Sequence, residues 1–163
     1  MKRKLLLLFI VVAGIVFLTT ALNAGTAVKD VITMENKAYQ SHKKGIATFS
    51  HKKHAEEYAT QNPDLYKNGC GECHHDKDNK PLTLKAGDAV HNCIECHTKP
   101  GESPKGKDAP QLSDKDKRAY HAEALHANCK GCHKAFNKAK NSKAAPETCV
   151  KCHPKKDKDE KDE

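Results

Sequence analysis

The sequence is poor in the large apolar residues that build a protein core. It has no tryptophan and four tyrosines, and Phe49 and Phe136 are its only phenylalanines beyond the N-terminal apolar run. Leucine, isoleucine and valine are also sparse after that run, whereas lysine and aspartate recur throughout. Such a chain buries too little apolar surface to offset the conformational entropy that folding costs. A core made of side chains alone is therefore excluded, and disulfides or metal groups must supplement it.

The N-terminus has the order of segments that is typical of a secretory signal. Basic residues at positions 2–4 precede an apolar run from Leu5 to Leu18, and small and polar residues continue to Ala24. This order predicts a signal peptide over residues 1–24 that export removes. The alternative is an uncleaved membrane anchor, because the apolar run extended to Leu22 approaches the about 20 residues that cross a bilayer. Both alternatives predict that the rest of the chain is exported.

The formal net charge of +8 does not indicate a nucleic-acid-binding protein. Acidic and basic residues are mixed along the chain, and the basic residues are not clustered with aromatic ones. Recognition of nucleic acids needs a basic patch or stripe, and export separates the chain from most nucleic acid. The composition therefore argues against nucleic acid as a partner.

All eight cysteines fall into four copies of one motif, C-x-x-C-H. The copies are Cys70-Gly71-Glu72-Cys73-His74, Cys93-Ile94-Glu95-Cys96-His97, Cys129-Lys130-Gly131-Cys132-His133 and Cys149-Val150-Lys151-Cys152-His153. This motif attaches c-type haem. Two thiols three residues apart can bond to the two vinyl groups on one edge of a porphyrin, and the next residue lies under the iron as its proximal ligand. The sequence predicts four covalently bound haem c groups.

Other cysteine chemistries explain the pattern less well. A zinc site closes tetrahedral Cys and His ligands around the ion but does not require His directly after the second Cys in every copy. A thioredoxin-like site needs one C-x-x-C on a βαβ scaffold, which the sequence does not have. Disulfides alone do not demand a fixed spacing. Four matches among four cysteine pairs in an exported chain favour haem.

Four haems also resolve the shortage of apolar side chains. Each porphyrin is a large apolar plate, so four of them can form a core around which the polypeptide wraps. The predicted fold class is therefore mostly α and irregular with little β, in a small multihaem fold whose haems form the core.

Seven histidines remain outside the motifs as candidates for the sixth ligand of each iron. They are His42, His51, His54, His75, His91, His121 and His126. Methionine is nearly excluded as a ligand, because Met34 is the only methionine beyond the N-terminal signal. Because methionine ligation raises the reduction potential, four bis-histidine haems predict low potentials. Seven candidates for four positions leave a surplus of three.

The spacing and composition of two stretches bear on which of the seven histidines are ligands. His51 and His54 are three residues apart, so on a helical turn they share a face and can serve two neighbouring haems. The stretch Lys117–Lys134 is predicted to be helical, because it is rich in Ala, Lys, Glu and Leu and lacks Pro. Ser113, with Asp116 three residues later, marks the start of this helix.

The remaining histidines have less specific surroundings. His121 and His126 lie five residues apart on the predicted helix and point in different directions, so only one need be a ligand. His126 lies immediately before the third motif and is preferred, with His121 as the alternative. His42, in a polar segment, is predicted to be solvent exposed. His91, two residues before Cys93, is predicted to be a propionate partner or a surface residue.

The chain outside the motifs divides into short segments. The predicted segments are a polar lead-in over 25–45 with an extended piece at Val28–Met34, a tetrahaem domain over 46–154, a turn and short strand over Asp76–Leu84, a loop over Lys99–Pro110, a helix near 114–127, a linker over Lys134–Pro146 that can start as a helix, and a disordered charged tail over 155–163. Proline and glycine mark the loop, and mixed charge marks the tail. The motif spacing is irregular, so the repeats do not form a solenoid.

Two motifs in combination resemble the class III c-type cytochromes, the tetrahaem cytochrome c3 family. These are FSHKKH (Phe49 to His54) and CGECHH (Cys70 to His75), followed by the later haem sites. The resemblance covers roughly Ile46 to Pro154 and implies a small cytochrome c3-like fold. Some members carry C-x-x-x-x-C-H at the second and fourth sites, whereas this chain has C-x-x-C-H at all four.

The resemblance implies a distal histidine for each iron. His51 is expected to ligate the first haem, His75 the second and His54 the third. A histidine between the second and third motifs is expected to ligate the fourth, and both His126 and His121 lie there. His74, His97, His133 and His153 are the proximal ligands in this scheme.

The resemblance also implies the function. It indicates a periplasmic, low-potential electron carrier, not an enzyme, that shuttles electrons between hydrogenase or formate dehydrogenase and membrane cytochrome complexes in anaerobic respiration. If the signal is cleaved, no stable membrane insertion is expected. The alternatives are a multihaem reductase with an open iron position and a membrane-anchored, quinol-linked cytochrome that retains its N-terminus.

Overall fold

A computed structural model describes residues 28–156 of the protein. The signal peptide predicted over 1–24, and all but two residues of the tail predicted over 155–163, lie outside this range. Residues 29–85 and 90–156 cluster as one structural unit, which is described below. No helix in the described range is both long and apolar enough to cross a bilayer.

The described chain consists mostly of short helices and irregular segments. Its elements are strands β1 (Ile32–Thr33) and β2 (Thr48–Phe49), a π-helical turn (Lys53–Tyr58), helix α1 (Ala59–Gln61), 3₁₀ turns (Pro63–Leu65 and Gly69–Glu72), and helices α2 (Cys93–Cys96), α3 (Asp114–Arg118), α4 (His121–Ala139) and α5 (Cys149–Cys152). β1 and β2 form the only sheet of the described residues. The predicted fold class, mostly α and irregular with little β, is confirmed.

The short sheet joins the N-terminal segment to the stretch FSHKKH. β1 and β2 pair antiparallel, with Ile32 opposite Phe49. The pairing continues on both sides, where the Met34 amide donates to the Ala47 carbonyl at 2.8 Å and the Lys52 amide donates to the Asp30 carbonyl at 3.1 Å. Residues before 46, predicted as a polar lead-in, therefore support the segment that carries His51 and His54.

The helix predicted near 114–127 is interrupted, and this part of the prediction is wrong. α3 begins at Ser113, whose side chain accepts the Asp116 amide as predicted, but the chain is extended at Tyr120, with ψ at 124°. At this break, the backbone groups next to Tyr120 form hydrogen bonds with the segment that follows the second motif. The Lys99 amide donates to the Ala119 carbonyl at 3.0 Å, and the His121 amide donates to the Lys99 carbonyl at 2.8 Å. α4 then starts at His121 and runs to Ala139, through the third motif and into the predicted linker.

The turn after the first motif folds back over that motif, but the strand predicted within Asp76–Leu84 does not form. The Asp76 carboxylate accepts the amides of Asp78 and Lys80, each at 2.9 Å, and these bonds close the turn. Beyond it there is only an isolated bridge between His75 and Pro81. Two backbone bonds flank this bridge, from the Asp76 amide to the Lys80 carbonyl and from the Leu82 amide to the His74 carbonyl, each at 2.9 Å, and the pairing ends there.

Burial follows the shortage of apolar residues in the sequence. Among the described residues no hydrophobic side chain is buried, and the buried side chains are the polar ones of Ser103, His121 and Asn137. The polypeptide therefore does not build a hydrophobic core from its own side chains. This agrees with the inference that a large apolar cofactor must provide one.

Substitution of Gly71 tests how closely the turn packs against the first motif. A Cβ at this position would lie 2.5 Å from the Leu82 carbonyl oxygen and 3.0 Å from the Pro81 Cβ. We expect Gly71→Ala to lower the free energy of unfolding by about 1–3 kcal/mol, because backbone must move to admit the methyl group. Denaturant unfolding of the holoprotein measures this.

Gly131 in the third motif is the matched control. A Cβ there has no neighbour within 4 Å, and Gly131 lies inside α4, where alanine is the better helix former by about 0.5–1 kcal/mol. Gly131→Ala should leave stability unchanged or raise it. Equal losses from the two substitutions would contradict the packing account.

Candidate functional site

Each C-x-x-C-H motif forms one turn of helix. The first lies at the 3₁₀ turn Gly69–Glu72, and the other three lie on α2, α4 and α5. In the first, second and fourth motifs the histidine amide donates to the carbonyl of the first cysteine, at 3.0, 2.8 and 2.7 Å respectively. Cysteines three apart on a helical turn share a face, so both thiols of each motif lie on one side. All eight cysteines are exposed and none forms a disulfide.

Five of the thiols have a raised pKa, unlike reactive cysteines. Protein atoms around Cys73 desolvate its thiolate and, with the neighbouring Cys129 and Cys132, raise its pKa to about 11, although its surface is exposed. Desolvation also raises the pKa of Cys93 and Cys152. Catalytic and metal-binding thiols have depressed pKa values. Within residues 28–156 no three Cys, His, Asp or Glu side chains are grouped to hold one metal ion.

Each motif histidine faces one histidine from another part of the chain. The ring centroids lie 6.4 Å apart for His74 and His51, 6.0 Å for His97 and His75, 6.1 Å for His133 and His54, and 6.2 Å for His153 and His126. Imidazole nitrogens bind transition metals at about 2 Å, and the nitrogen lies about 1 Å from the ring centre. Two imidazoles on opposite sides of one metal ion therefore have centroids about 6 Å apart. All four pairs have this spacing.

Hydrogen bonds to backbone carbonyls orient the motif histidines. The Nδ1 atoms of His97, His133 and His153 contact the carbonyl oxygens of Arg118, Pro146 and Gly45 at 2.5, 2.6 and 2.9 Å. A carbonyl oxygen only accepts, so Nδ1 carries the proton in each ring. The Nε2 lone pair is then free to bind a metal, as is usual for histidine ligands.

The partner histidines have similar contacts. Nδ1 of His75 donates to the Asp76 carbonyl at 2.7 Å, and Nδ1 of His54 donates to the Ser50 carbonyl at 2.9 Å. Burial lowers the pKa of His54 and of His74, which favours the neutral imidazole that metal binding requires. Nδ1 of His51, by contrast, is buried without a hydrogen bond partner. The donor set therefore fits haem iron at all four pairs, with a different polar environment at the first.

Two short segments connect neighbouring pairs. His51 and His54 face different motif histidines, and the Phe49 ring packs against both, with centroids 5.9 and 4.6 Å away. His74 and His75 are adjacent in sequence, yet each belongs to a different pair. The first of these segments links the first pair to the third, and the second links the first pair to the second.

A side-chain contact also joins the first motif to α4. Asn128, which precedes the third motif, donates from Nδ2 to the Cys73 carbonyl at 3.2 Å. The first and third motifs are therefore neighbours in space.

The three surplus histidines have other contacts. His121 is buried and its Nδ1 lies 2.9 Å from the Tyr39 hydroxyl. His42 stacks on the same tyrosine, at 5.1 Å and 7° between ring planes, so the expectation that it is exposed in solvent is wrong: the aromatic face covers it. His91 is exposed and contacts Glu95 at 2.7 Å. Tyr39 carried no motif in the sequence, and nothing there linked it to a histidine 82 residues away.

Comparison with known proteins agrees with this arrangement. The sequence model of the Class III cytochrome C family matches residues 27–153 of this chain. The cytochrome c3 of Maridesulfovibrio salexigens is 34% identical over 113 residues, which cover 69% of this chain and 82% of that protein. No solved structure matches the chain significantly. Proteins of this family bind covalently attached haem c and carry electrons without being enzymes. The chain belongs to the class III cytochrome c family and is a multihaem electron-transfer cytochrome.

Proposed function

We propose that the protein binds four haem c groups, each with two histidine ligands, and that it shuttles electrons between redox proteins in the periplasm. The observation that carries this proposal is the set of four histidine pairs with ring centroids 6.0, 6.1, 6.2 and 6.4 Å apart. In the first three pairs the motif histidine faces the residue that the family resemblance assigns to the same haem, and in the fourth it faces His126, one of the two candidates.

The proposed ligand set uses every cysteine and eight of the eleven histidines. The attachment residues are Cys70 and Cys73, Cys93 and Cys96, Cys129 and Cys132, and Cys149 and Cys152; the proximal ligands are His74, His97, His133 and His153, and the distal ligands are His51, His75, His54 and His126 in the same order. Bound haem supplies one-electron exchange at its iron. The polypeptide supplies ligand orientation, because carbonyl acceptors hold the Nδ1 protons and aim the Nε2 atoms.

Two histidines on each iron favour a carrier over a reductase. Reduction of a bound substrate needs an open coordination position, which bis-histidine ligation does not leave. The same ligation favours low potentials, since methionine ligation raises them and Met34 is the only methionine beyond the predicted signal peptide. The shared segments bring the first three sites close together, which suits electron exchange inside the protein.

The location and partners rest on the sequence and on the family. The family match begins at residue 27, directly after the predicted signal peptide, which supports export to the periplasm. Hydrogenase or formate dehydrogenase as donor and membrane cytochrome complexes as acceptor follow from the resemblance. Both kinds of partner would dock through small, charge-guided contacts, as transient redox complexes do.

Haem stoichiometry and spin state test the proposed function directly. We expect the mass of the purified protein to correspond to four covalently bound haems, and we expect every iron to be low spin, because two histidines give a strong ligand field. Mass spectrometry and electron paramagnetic resonance measure these properties. A high-spin component of one iron in four would instead favour a reductase with an open position.

Substitution of His75 tests whether this residue, which directly follows the first motif, ligates the second haem. We expect His75→Met to raise the potential of the second haem by a sizeable part of the about 0.8 V that axial ligands span. The first haem should remain attached to Cys70 and Cys73. Potentiometric titration followed by visible spectra measures both effects. His91→Met is the control, because His91 is exposed and contacts Glu95, and it should change no haem potential.

His126 and His121 can be distinguished by paired substitutions. His126→Ala should give one high-spin iron in four, because it removes the ring opposite His153. His121→Ala should leave all irons low spin but destabilise the fold by about 1–3 kcal/mol, since it removes a buried ring and its hydrogen bond with the Tyr39 hydroxyl. Spin state and denaturant unfolding separate these effects. If His121→Ala produced the high-spin iron, His121 would be the ligand.

A further inference from the structure

Asn137 is a buried polar residue with no role in the ligand set described above. It lies near the end of α4 and is 6% exposed. Its amide group forms four hydrogen bonds. Nδ2 donates to the Ala145 carbonyl at 2.9 Å and to Glu147 Oε1 at 2.5 Å, and Oδ1 accepts the Ala145 amide at 3.0 Å and the Ser142 hydroxyl at 3.3 Å. Both donor hydrogens and both acceptor positions of the side chain are used.

These bonds hold the segment that follows α4 against the helix. Asn141, with φ at +46°, reverses the chain, and the Ser142 amide returns to the Asn137 carbonyl at 2.9 Å. Ala145 is then held at both its amide and its carbonyl. A buried asparagine that is fully hydrogen bonded fixes local backbone geometry, because any displacement leaves a desolvated polar group unpaired.

The two residues that Asn137 holds, Ala145 and Glu147, flank Pro146. The Pro146 carbonyl is the acceptor for Nδ1 of His133, at 2.6 Å. Proline has no N–H with which to anchor its own backbone, so its position depends on its neighbours. His133 and Asn137 are four residues apart on α4 and lie on the same face of the helix. One helix face thus carries both the ring and the side chain that positions the acceptor for that ring.

We propose that Asn137 is a positioning residue for His133 and that it thereby lowers the reduction potential of the third haem. This rests on the proposed function, in which His133 is the proximal ligand of that haem. A short hydrogen bond from Nδ1 makes an imidazole ligand more basic, and a more basic ligand stabilises the oxidised iron and lowers its potential. Asn137 holds the acceptor in place and so maintains that effect.

Of the other motif histidines, His97 and His153 use acceptors that Asn137 does not contact, and the described contacts give Nδ1 of His74 no carbonyl acceptor. His97 donates to Arg118 and His153 donates to Gly45. The proposal therefore concerns one haem of the four. This selectivity separates it from a general effect on stability, which would reach every site.

The experiment compares Asn137→Ala with the unsubstituted holoprotein in a redox titration followed by NMR. Haem methyl signals of the third haem are assigned through their contacts with the thioethers of Cys129 and Cys132. We expect the potential of the third haem to rise while the other three stay within error. We also expect the Nδ1 proton of His133 to exchange faster with solvent. Equal shifts at all four haems, or no shift at the third, would overturn the proposal.

Two further variants keep the test decisive if Asn137→Ala does not fold. Glu147→Ala removes one of the three bonds by which Asn137 holds the residues that flank Pro146, and we expect a smaller rise at the third haem alone. Ser142→Ala is the matched control, because the Ser142 hydroxyl bonds to Asn137 Oδ1 and to the Ala144 amide, and neither bond is to a residue that flanks Pro146. It should shift no potential. A rise with Ser142→Ala as large as with Glu147→Ala would overturn the proposal.

The same spectra separate this inference from the proposed function. If His133 ligates iron, its ring protons are shifted by the unpaired electron in the oxidised, unsubstituted protein. Absence of that shift would reject His133 as a ligand whatever the variants do. Presence of the shift with an unchanged third potential in Asn137→Ala would reject only the role of Asn137.

Discussion

The structure depends on four pairs of histidine rings, each with the separation that one metal ion between them requires. The pairs join segments that are distant in sequence, such as His54 after β2 with His133 in α4. No hydrophobic side chain is buried in the described part of the chain, although apolar burial is the main favourable term in folding. An iron held by both rings of a pair ties two segments together, and its porphyrin supplies apolar surface at the same place. In this account, cofactor binding and folding are one process.

The four sites are similar in their ligands but differ in what surrounds them. Carbonyl acceptors hold both rings of the second and third pairs, one ring of the fourth, and neither ring of the first among the described contacts, where Nδ1 of His51 is buried without a partner. Because such bonds tune the basicity of a ligand, this inequality would, under the proposed ligation, hold chemically identical haems at different potentials.

Sequence patterns predicted the parts of the site that local spacing determines. The four motifs indicated haem attachment because thiol spacing and the following histidine are fixed by the porphyrin itself, and Ser113 was recognised as a helix start from its own neighbours. Family resemblance implies His51, His54 and His75 as distal ligands, whereas it leaves His121 and His126 as alternatives for the fourth haem, of which the position before the third motif favours His126. The break at Tyr120, the contact between Tyr39 and His121, and the bonds of Asn137 were not predictable. Each depends on backbone or side chains that approach only after the chain has folded.

The positions of the four irons test the central claim most directly. Anomalous X-ray scattering at the iron absorption edge, from crystals of the holoprotein, locates each iron independently of the polypeptide. The account predicts four iron peaks, each about 3 Å from both ring centroids of one histidine pair, as metal–imidazole bond lengths require. An iron that lies beside only one ring of its pair, or beside His121 in place of His126, would contradict it.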